Sequence, residues 1–257
     1  MDLNGRVAVI TGGTGGIGQV LARAFLSEGA QAVVLADLDA ADLEASTTEL
    51  GCDGLVCDVT DEAEVNKLVA FVLRKYGRVD LFCSNAGAAA GEGGLLEDPN
   101  EVWQRQWDLH VMAHVYAARA LLPGMIERGD GYLLITASAA GLLAALGSAP
   151  YSVTKAAAIK LAELIAITYG DDGIKVSVLC PQGVNTAMAP KSLGDGGVDG
   201  IIEPDQLADP VIAALHEERF HVLPHPEVEE YVRRKGNDID RWISGMQRLR
   251  QRSLEED

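Results

Sequence analysis

Positive charge is scarce in this chain. Its 257 residues hold 21 Lys and Arg against 38 Asp and Glu, a formal net charge of −17. An acidic surface repels the phosphates of nucleic acid and of anionic membranes and disfavours acidic protein partners; solubility is the ordinary use of such charge. Cysteine is sparse too. Cys52, Cys57, Cys83 and Cys180 form no C-x-x-C pair, and three sit in or beside apolar runs. That pattern predicts buried free thiols in a reducing cytoplasm rather than disulfides. The five His residues lack H-E-x-x-H spacing, so no zinc site is expected. No apolar run reaches transmembrane length, no signal peptide is expected ahead of the first strand, and no repeat or low-complexity tract appears.

What is present is 48% apolar residues, enough for one large core in a single domain over 1–257. Strands are expected at Arg6 to Thr11, Gln31 to Ala36, Gly54 to Cys57, Val79 to Cys83, Tyr132 to Thr136, Lys175 to Cys180 and Phe220 to Leu223. Helical runs separate them, including a long one from about Asn100 to Arg128 and another from Ala149 to Tyr169. Strands that alternate with helices and are apolar throughout predict an α/β fold whose parallel sheet is covered on both faces. Residues 187–205, rich in Gly, Asp and Pro up to Gly200, read as a mobile loop beside the substrate. Residues 226–252 read as a charged helical extension anchored by Tyr231, Ile239, Trp242, Ile243, Met246 and Leu249, packed on its own subunit or on a neighbour.

Between the first strand and first helix stands Gly12-Gly13-Thr14-Gly15-Gly16-Ile17-Gly18. A glycine turn there lets phosphate approach the backbone, and the helix N-terminus meets it with free N–H groups. Asp37 closes the second strand, 19 residues beyond Gly18. A carboxylate at that place accepts hydrogen bonds from both adenosine ribose hydroxyls and repels a 2′-phosphate. No Arg or Lys lies within residues 12–22 to offset it, so NAD is expected over NADP. Asp58, at the third strand end, suits either the adenine amino group or a simple turn.

Tyr151 and Lys155, four apart, share one helix face. A cation beside a phenol favours phenolate, so the Tyr pKa is expected to fall from about 10. A Tyr so tuned exchanges a proton with an alcohol or carbonyl oxygen, and Ser138 can hold that same oxygen. The Tyr-x-x-x-Lys spacing alone occurs on many surface helices; its company decides.

Together these pieces resemble the short-chain dehydrogenase/reductase family. The matching residues are Thr11, Gly12, Gly16 and Gly18; Asp37; Asp58-Val59; Asn85-Ala86-Gly87; Ser138; Tyr151 and Lys155; and Pro181, Gly183, Val184 and Thr186, in the family's order from residue 5 to about 190. The glycine run also satisfies the pattern of the longer sugar-nucleotide epimerases and dehydratases, against which the short length and the Asn-Ala-Gly motif argue. The resemblance implies a single Rossmann-type doubly wound domain with a seven-stranded parallel sheet, and hydride transfer between nicotinamide and a carbon bearing oxygen. It implies Tyr151 as general acid/base, Lys155 as holder of the nicotinamide ribose and Ser138 as holder of the substrate oxygen. Gly12, Thr14, Gly16, Ile17, Gly18, Asp37, Leu38, Asp58, Val59, Asn85, Ala86, Gly87, Pro181, Gly183, Val184 and Thr186 would line the cofactor site.

Two departures stand out. Where the family carries a fourth catalytic residue, an Asn supporting a proton-relay water, this chain has His110; an imidazole there could hold the water, titrate itself, break the relay or simply pack. The family's Pro-Gly appears as Pro181-Gln182-Gly183. The uncharged segment Ala139 to Ala149, with Ala88 to Gly94 and Ala187 to Ala189, points to a medium-sized, largely uncharged secondary alcohol or ketone, with Lys191 as the one nearby cation and Leu142, Leu143 and Leu146 equally suited to the core. The helices 100–128 and 149–169 are those that family members pair into dimers or tetramers. The rivals are a family-fold nucleotide sensor with lost chemistry, and an NAD-using dehydratase or epimerase. If Asp37 sets cofactor choice, Asp37→Ser will shift the NAD-to-NADP preference; an unchanged ratio of kcat/KM values for the two cofactors would remove that role.

Overall fold

In the computed structural model, which describes residues 1–89, 94–188 and 199–256, seven strands form one sheet in the order β3-β2-β1-β4-β5-β6-β7, every pair parallel. The strands are β1 (Val7–Thr11), β2 (Ala32–Asp37), β3 (Asp53–Val56), β4 (Leu81–Ser84), β5 (Gly131–Thr136), β6 (Ile174–Leu179) and β7 (His221–Val222). Their side chains alternate between two cores. Val7, Val9, Val34, Phe82, Leu133, Ile135, Val176 and Val178 face one side, where α3 (Glu62–Tyr76), α6 (Ala113–Arg128) and α8 (Ala149–Tyr169) cover them. Ala8, Ile10, Val33, Leu35, Leu81, Leu134 and Leu179 face the other, under α1 (Gly16–Ser27), α2 (Ala40–Leu50) and α9 (Ala208–Glu217). With both faces buried, no strand needs a polar face, which is why the strands read as continuous apolar runs. Cys57, Cys83 and Cys180 are buried and Cys52 half-buried, all as free thiols. Among the described residues no helix is long and apolar enough to cross a membrane.

Helix starts follow local chemistry. The Asp39 side chain caps α2 by accepting from the backbone N–H groups of Ala41 and Asp42, and Asp61 caps α3 through Ala63. The structure departs from the sequence reading in five places. The long helix is not continuous: α5 (Asn100–Trp107) passes into α6 through a π-helical turn over Asp108–Met112. Two short helices, α4 (Gly94–Glu97) and α7 (Ala139–Leu142), lie in stretches given no element from the sequence. The segment after Gly200, given no element from the sequence, forms α9, whose Val211, Ala214 and Leu215 fill the second core. The C-terminal extension is two helices, α10 (Glu227–Asn237) and α11 (Ile239–Glu256), broken by extended backbone at Asp238 and joined by a tilted Tyr231–Trp242 ring contact. Most of the expected substrate loop, 189–198, and residues 90–93 lie outside the described residues.

The strand order reverses at β1, whose neighbours β2 and β4 lead away in opposite directions. In an open parallel sheet the helix connections part at that point and leave a crevice beyond the strand C-termini.

Candidate active site

The crevice is built from strand ends. After β1 comes the glycine turn. Gly12 has φ of 63°, and a Cβ there would sit 2.8 Å from Ala86 Cα; one on Gly18 would meet Gly12 O at 2.2 Å. These glycines are demanded by the close approach of turn, helix and the loop after β4. Among the described residues a Cβ at Gly15 would meet only Gly12 O, at 3.4 Å, so the outer side of the turn is open with respect to them. The N-cap residue of α1, Gly15, has no side chain with which to cap it. Asp37 ends β2 beside the turn: its Oδ2 accepts from Thr14 N (3.0 Å) and Thr14 Oγ1 (2.6 Å), and its Oδ1 from Leu38 N (2.8 Å). Leu38 is exposed at the rim. Asp58, beyond β3, uses Oδ1 to accept from Thr60 N and Oγ1, one of the two roles that suit it from the sequence, which leaves Oδ2 outside that turn. Val59 is buried in the core, so its backbone is what it can present.

At the end of β4, Asn85 Nδ2 donates to Thr11 O (3.1 Å) and Gly12 O (3.2 Å), and Thr136 Oγ1 donates to Asn85 Oδ1 (3.0 Å). Thr11 Oγ1 accepts from the N–H groups of Asn85 and Ala86. Beyond β6, Pro181 O accepts from Ala139 N at 2.9 Å. A Cβ at Gly16 would lie 2.9 Å from Thr186 Cγ2, which sets the 181–186 loop against the glycine turn. Val184 in that loop bridges to Ile202, beyond it in the chain. The unusual Gln182 is held through its backbone N–H by His225 Nδ1 at 3.2 Å.

Ser138, Tyr151 and Lys155 converge between β5 and α8. Ser138 caps α7, accepting from Ala140 N at 3.1 Å, and hydrogen-bonds the Tyr151 hydroxyl. Lys155 is 3% exposed, and its Nζ donates to Thr136 O at 2.9 Å and lies 5.7 Å from the Tyr151 ring centre. Burial lowers the Lys155 pKa to about 8, so it is still a cation at neutral pH but close to losing its proton. Tyr151 does not follow the expected fall. Burial raises its pKa, and the Ser138 hydrogen bond works against that without overcoming it. The phenol loses more from desolvation of its anion than the Ser138 hydrogen bond returns.

His110 is 0% exposed and stands edge-on to the Tyr151 ring, centroids 5.5 Å apart at 84°. A Cβ at Gly87 would lie 3.5 Å from both His110 Nε2 and Lys155 Nζ. His114, one turn on and unnoticed in the sequence, is buried too, its Nδ1 2.6 Å from Ser84 Oγ. Burial first, then the Lys155 charge, lowers His110 to about 2 and His114 to about 3. Both imidazoles are therefore neutral at working pH, and His110 does not titrate there. Lys235 is a further residue the sequence did not point to: from α10 its Nζ donates to Leu142 O (2.6 Å) and Leu143 O (3.3 Å), beside the segment expected to flank substrate. Lys191, named from the sequence, lies outside the described residues. Leu142 packs against the first core, so part of that segment is core. Lys235 and His225 carry no local signal, because 93 and 92 residues of chain separate Lys235 from Leu142 and Leu143, and 43 separate His225 from Gln182.

A doubly wound sheet with this residue group at its open end defines a Rossmann-type oxidoreductase. The sequence pattern described as short chain dehydrogenase matches residues 6–195, and the chain belongs to that family. It is 34% identical over 256 residues to a 1-deoxy-11-beta-hydroxypentalenate dehydrogenase of Streptomyces exfoliatus, covering 95% of this chain and 92% of that one. Among solved structures it is similar to a short chain dehydrogenase/reductase from Burkholderia phymatum in complex with NAD (TM-score 0.84, 29% identity, 93% and 96% of the chains covered). A second is a 3-ketoacyl-(acyl-carrier-protein) reductase from Brucella melitensis complexed with NADH (TM-score 0.78, 28% identity, 86% and 96% covered).

The two neutral imidazoles have a consequence for stability. Unfolded, each titrates near 6.5; folded, each resists protonation down to about 2 or 3. Below about pH 6.5 the unfolded chain binds protons the folded chain refuses, so stability falls as pH is lowered, by on the order of 1 kcal/mol per pH unit for each group. The melting temperature is expected to drop between about pH 6.5 and pH 5, and less steeply in His110→Asn/His114→Val. Equal slopes in the two proteins would contradict the assignment.

Proposed function

We propose that this chain is an NAD-dependent dehydrogenase transferring a hydride between nicotinamide and a medium-sized, largely uncharged secondary alcohol or the matching ketone. The observation that carries the reading is the convergence of Ser138, Tyr151 and Lys155 at the crevice that also holds the open glycine turn and Asp37. The fit to NAD rests on this chain's own chemistry. Among the described residues the outer side of the turn is free for phosphate at Gly15, the N-cap of α1 has no side chain, and Asp37 stands beside them with no Lys or Arg in residues 12–22 to accept a 2′-phosphate. That two structures similar to this chain are described in complex with NAD and NADH agrees with the reading.

NAD, when bound, supplies the acceptor for the hydride leaving the alcohol carbon. Gly12, Thr14, Gly16, Ile17 and Gly18 would hold its pyrophosphate side, Asp37 and Leu38 the adenosine ribose, and Asp58 and Val59 the adenine. Asn85, Ala86 and Gly87 would line the cleft, and Pro181, Gly183, Val184 and Thr186 would border the nicotinamide. Tyr151 takes the alcohol proton in oxidation and returns it in reduction. Ser138 donates a hydrogen bond to the same oxygen, and Lys155 would hold the nicotinamide ribose while its charge favours the phenolate. The raised Tyr151 pKa means that the free protein holds the acid form, ready to protonate a carbonyl; as base, Tyr151 depends on the Lys155 charge. His110 completes the group as the residue against the Tyr151 ring.

The uncharged lining from Ala139 to Ala149 supports an uncharged substrate, and Lys235 does not alter this because backbone carbonyls engage its charge. The first relative named above acts, by its name, on a hydroxylated compound. Free thiols agree with a reducing cytoplasm. The decisive assay is NADH formation over a panel of secondary alcohols. Wild type is expected to turn over at least one, and Tyr151→Phe to lose about 10²- to 10⁴-fold in kcat; equal rates in both proteins would sink the assignment, as would a strong preference for acidic or thioester substrates.

The assembly we propose is a homo-oligomer, dimer or tetramer, built on the α6 and α8 faces. A groove of about 500 Å³ runs between these helices, lined by Leu122, Ile126, Leu161, Leu164 and Ile165 among others, and Leu164 and Ile167 stand exposed along α8. Sedimentation at micromolar concentration is expected to show more than one subunit, and Leu164→Glu/Ile167→Glu to shift it toward monomer; a wild-type monomer would refute the assembly.

A further inference from the structure

The His110 ring is held on three sides by groups that each constrain it. It sits in the π-helical turn between α5 and α6, a local widening of the helix that often accompanies functional positions. Its Nδ1 lies 3.0 Å from Thr154 Oγ1. The Thr154 hydroxyl has one proton, and Pro150 O accepts it at 2.8 Å, with Tyr151 O at 3.2 Å. With that proton directed to carbonyls of its own helix, Oγ1 is left as an acceptor toward His110, and Nδ1 must be the donor. On the opposite side, Ala88 N–H points at Nε2 at 3.4 Å and needs a lone pair there. Both constraints select the same neutral form, protonated on Nδ1 and bare on Nε2. The Ala88 peptide is itself held, because Gln106, buried on α5, donates Nε2 to Ala88 O at 3.0 Å. The third side of the ring is the edge-on contact with Tyr151.

We propose that Thr154 is a positioning residue whose hydroxyl locks His110 in the Nδ1–H form, so that His110 acts as a fixed strut between the catalytic helix α8 and the Asn85–Ala88 loop. Thr154 lies next to Lys155, and its helix carries Tyr151, while Ala88 follows directly on the Asn-Ala-Gly segment that lines the cleft. One ring therefore sets the separation of the two walls of the centre and supports the Tyr151 ring from the side. In this arrangement His110 carries no proton between Lys155 and solvent; it keeps the geometry in which Tyr151 and Lys155 work. The consequence for turnover rests on the dehydrogenase reading above; the tautomer does not.

The test is a long-range ¹H–¹⁵N spectrum of the histidine side chains in the whole protein, with five His to resolve and His110→Asn to identify the signal. The wild type is expected to show a protonated-type Nδ1 and an unprotonated-type Nε2, the latter recognised by its couplings to both ring carbon-bound protons. Thr154→Val, which can neither donate nor accept, is expected to move both nitrogens toward averaged values and to lower kcat about tenfold with KM little changed. Thr154→Ser is expected to restore the pattern and most of the turnover. A wild-type His110 protonated on Nε2, or a Thr154→Val spectrum like wild type, would overturn the proposal. The wild-type measurement decides the tautomer even if Thr154→Val fails to fold. The expected tautomers together with no turnover on any alcohol would instead count against the dehydrogenase reading and support the lock by itself.

Discussion

The ends of three neighbouring strands are tied together by one side chain, and the crevice takes its shape from that tie. Asn85 binds the backbone of β1 at Thr11 and Gly12 and accepts from Thr136 at the end of β5, while Thr11 returns two bonds to the Asn85 and Ala86 N–H groups. The strand ends lack ladder partners beyond the sheet, so their backbone groups must find others. Lys155 then donates to Thr136 O, which carries the same network into the catalytic helix. Glycine turn, cleft loop and Lys155 are thus parts of one hydrogen-bonded unit, and a change at Asn85 would be felt in all three.

The second constraint is electrostatic. Among the described residues no carboxylate lies against buried Lys155, and its Nζ donates to a backbone carbonyl, Thr136 O. A solitary buried cation is costly, and the structure answers by lowering its pKa and keeping both neighbouring imidazoles neutral. A family Asn at position 110 would be neutral by nature; His110 is made neutral by burial. The substitution therefore keeps the charge balance of the centre while exchanging a short amide for a ring long enough to reach from Thr154 to Ala88.

Much of this was readable along the chain because it is written locally. Alternation of apolar strands with helices forces a parallel sheet covered on both faces, and a glycine turn between strand and helix has few other uses. Asp39 and Asp61 mark helix starts by their own capping bonds. The ends of α8 and the order of the motifs needed no tertiary information. The segment over α9 escaped because its short apolar run takes its meaning from the second core, and the π turn escaped because it depends on what packs around His110.

The sequence by itself determined the doubly wound fold class and the family, since the patterns that mark them depend on neighbours within a few positions. Only the tertiary structure decided the protonation of the centre, because the pKa of Tyr151 follows from how deeply the fold buries it and not from its spacing to Lys155. Only the fold could bring Lys235 to the substrate segment, His225 to Gln182, and Thr154 and Ala88 to opposite sides of His110. Contacts of that kind join parts of the chain whose separation in sequence holds no record of their distance in space.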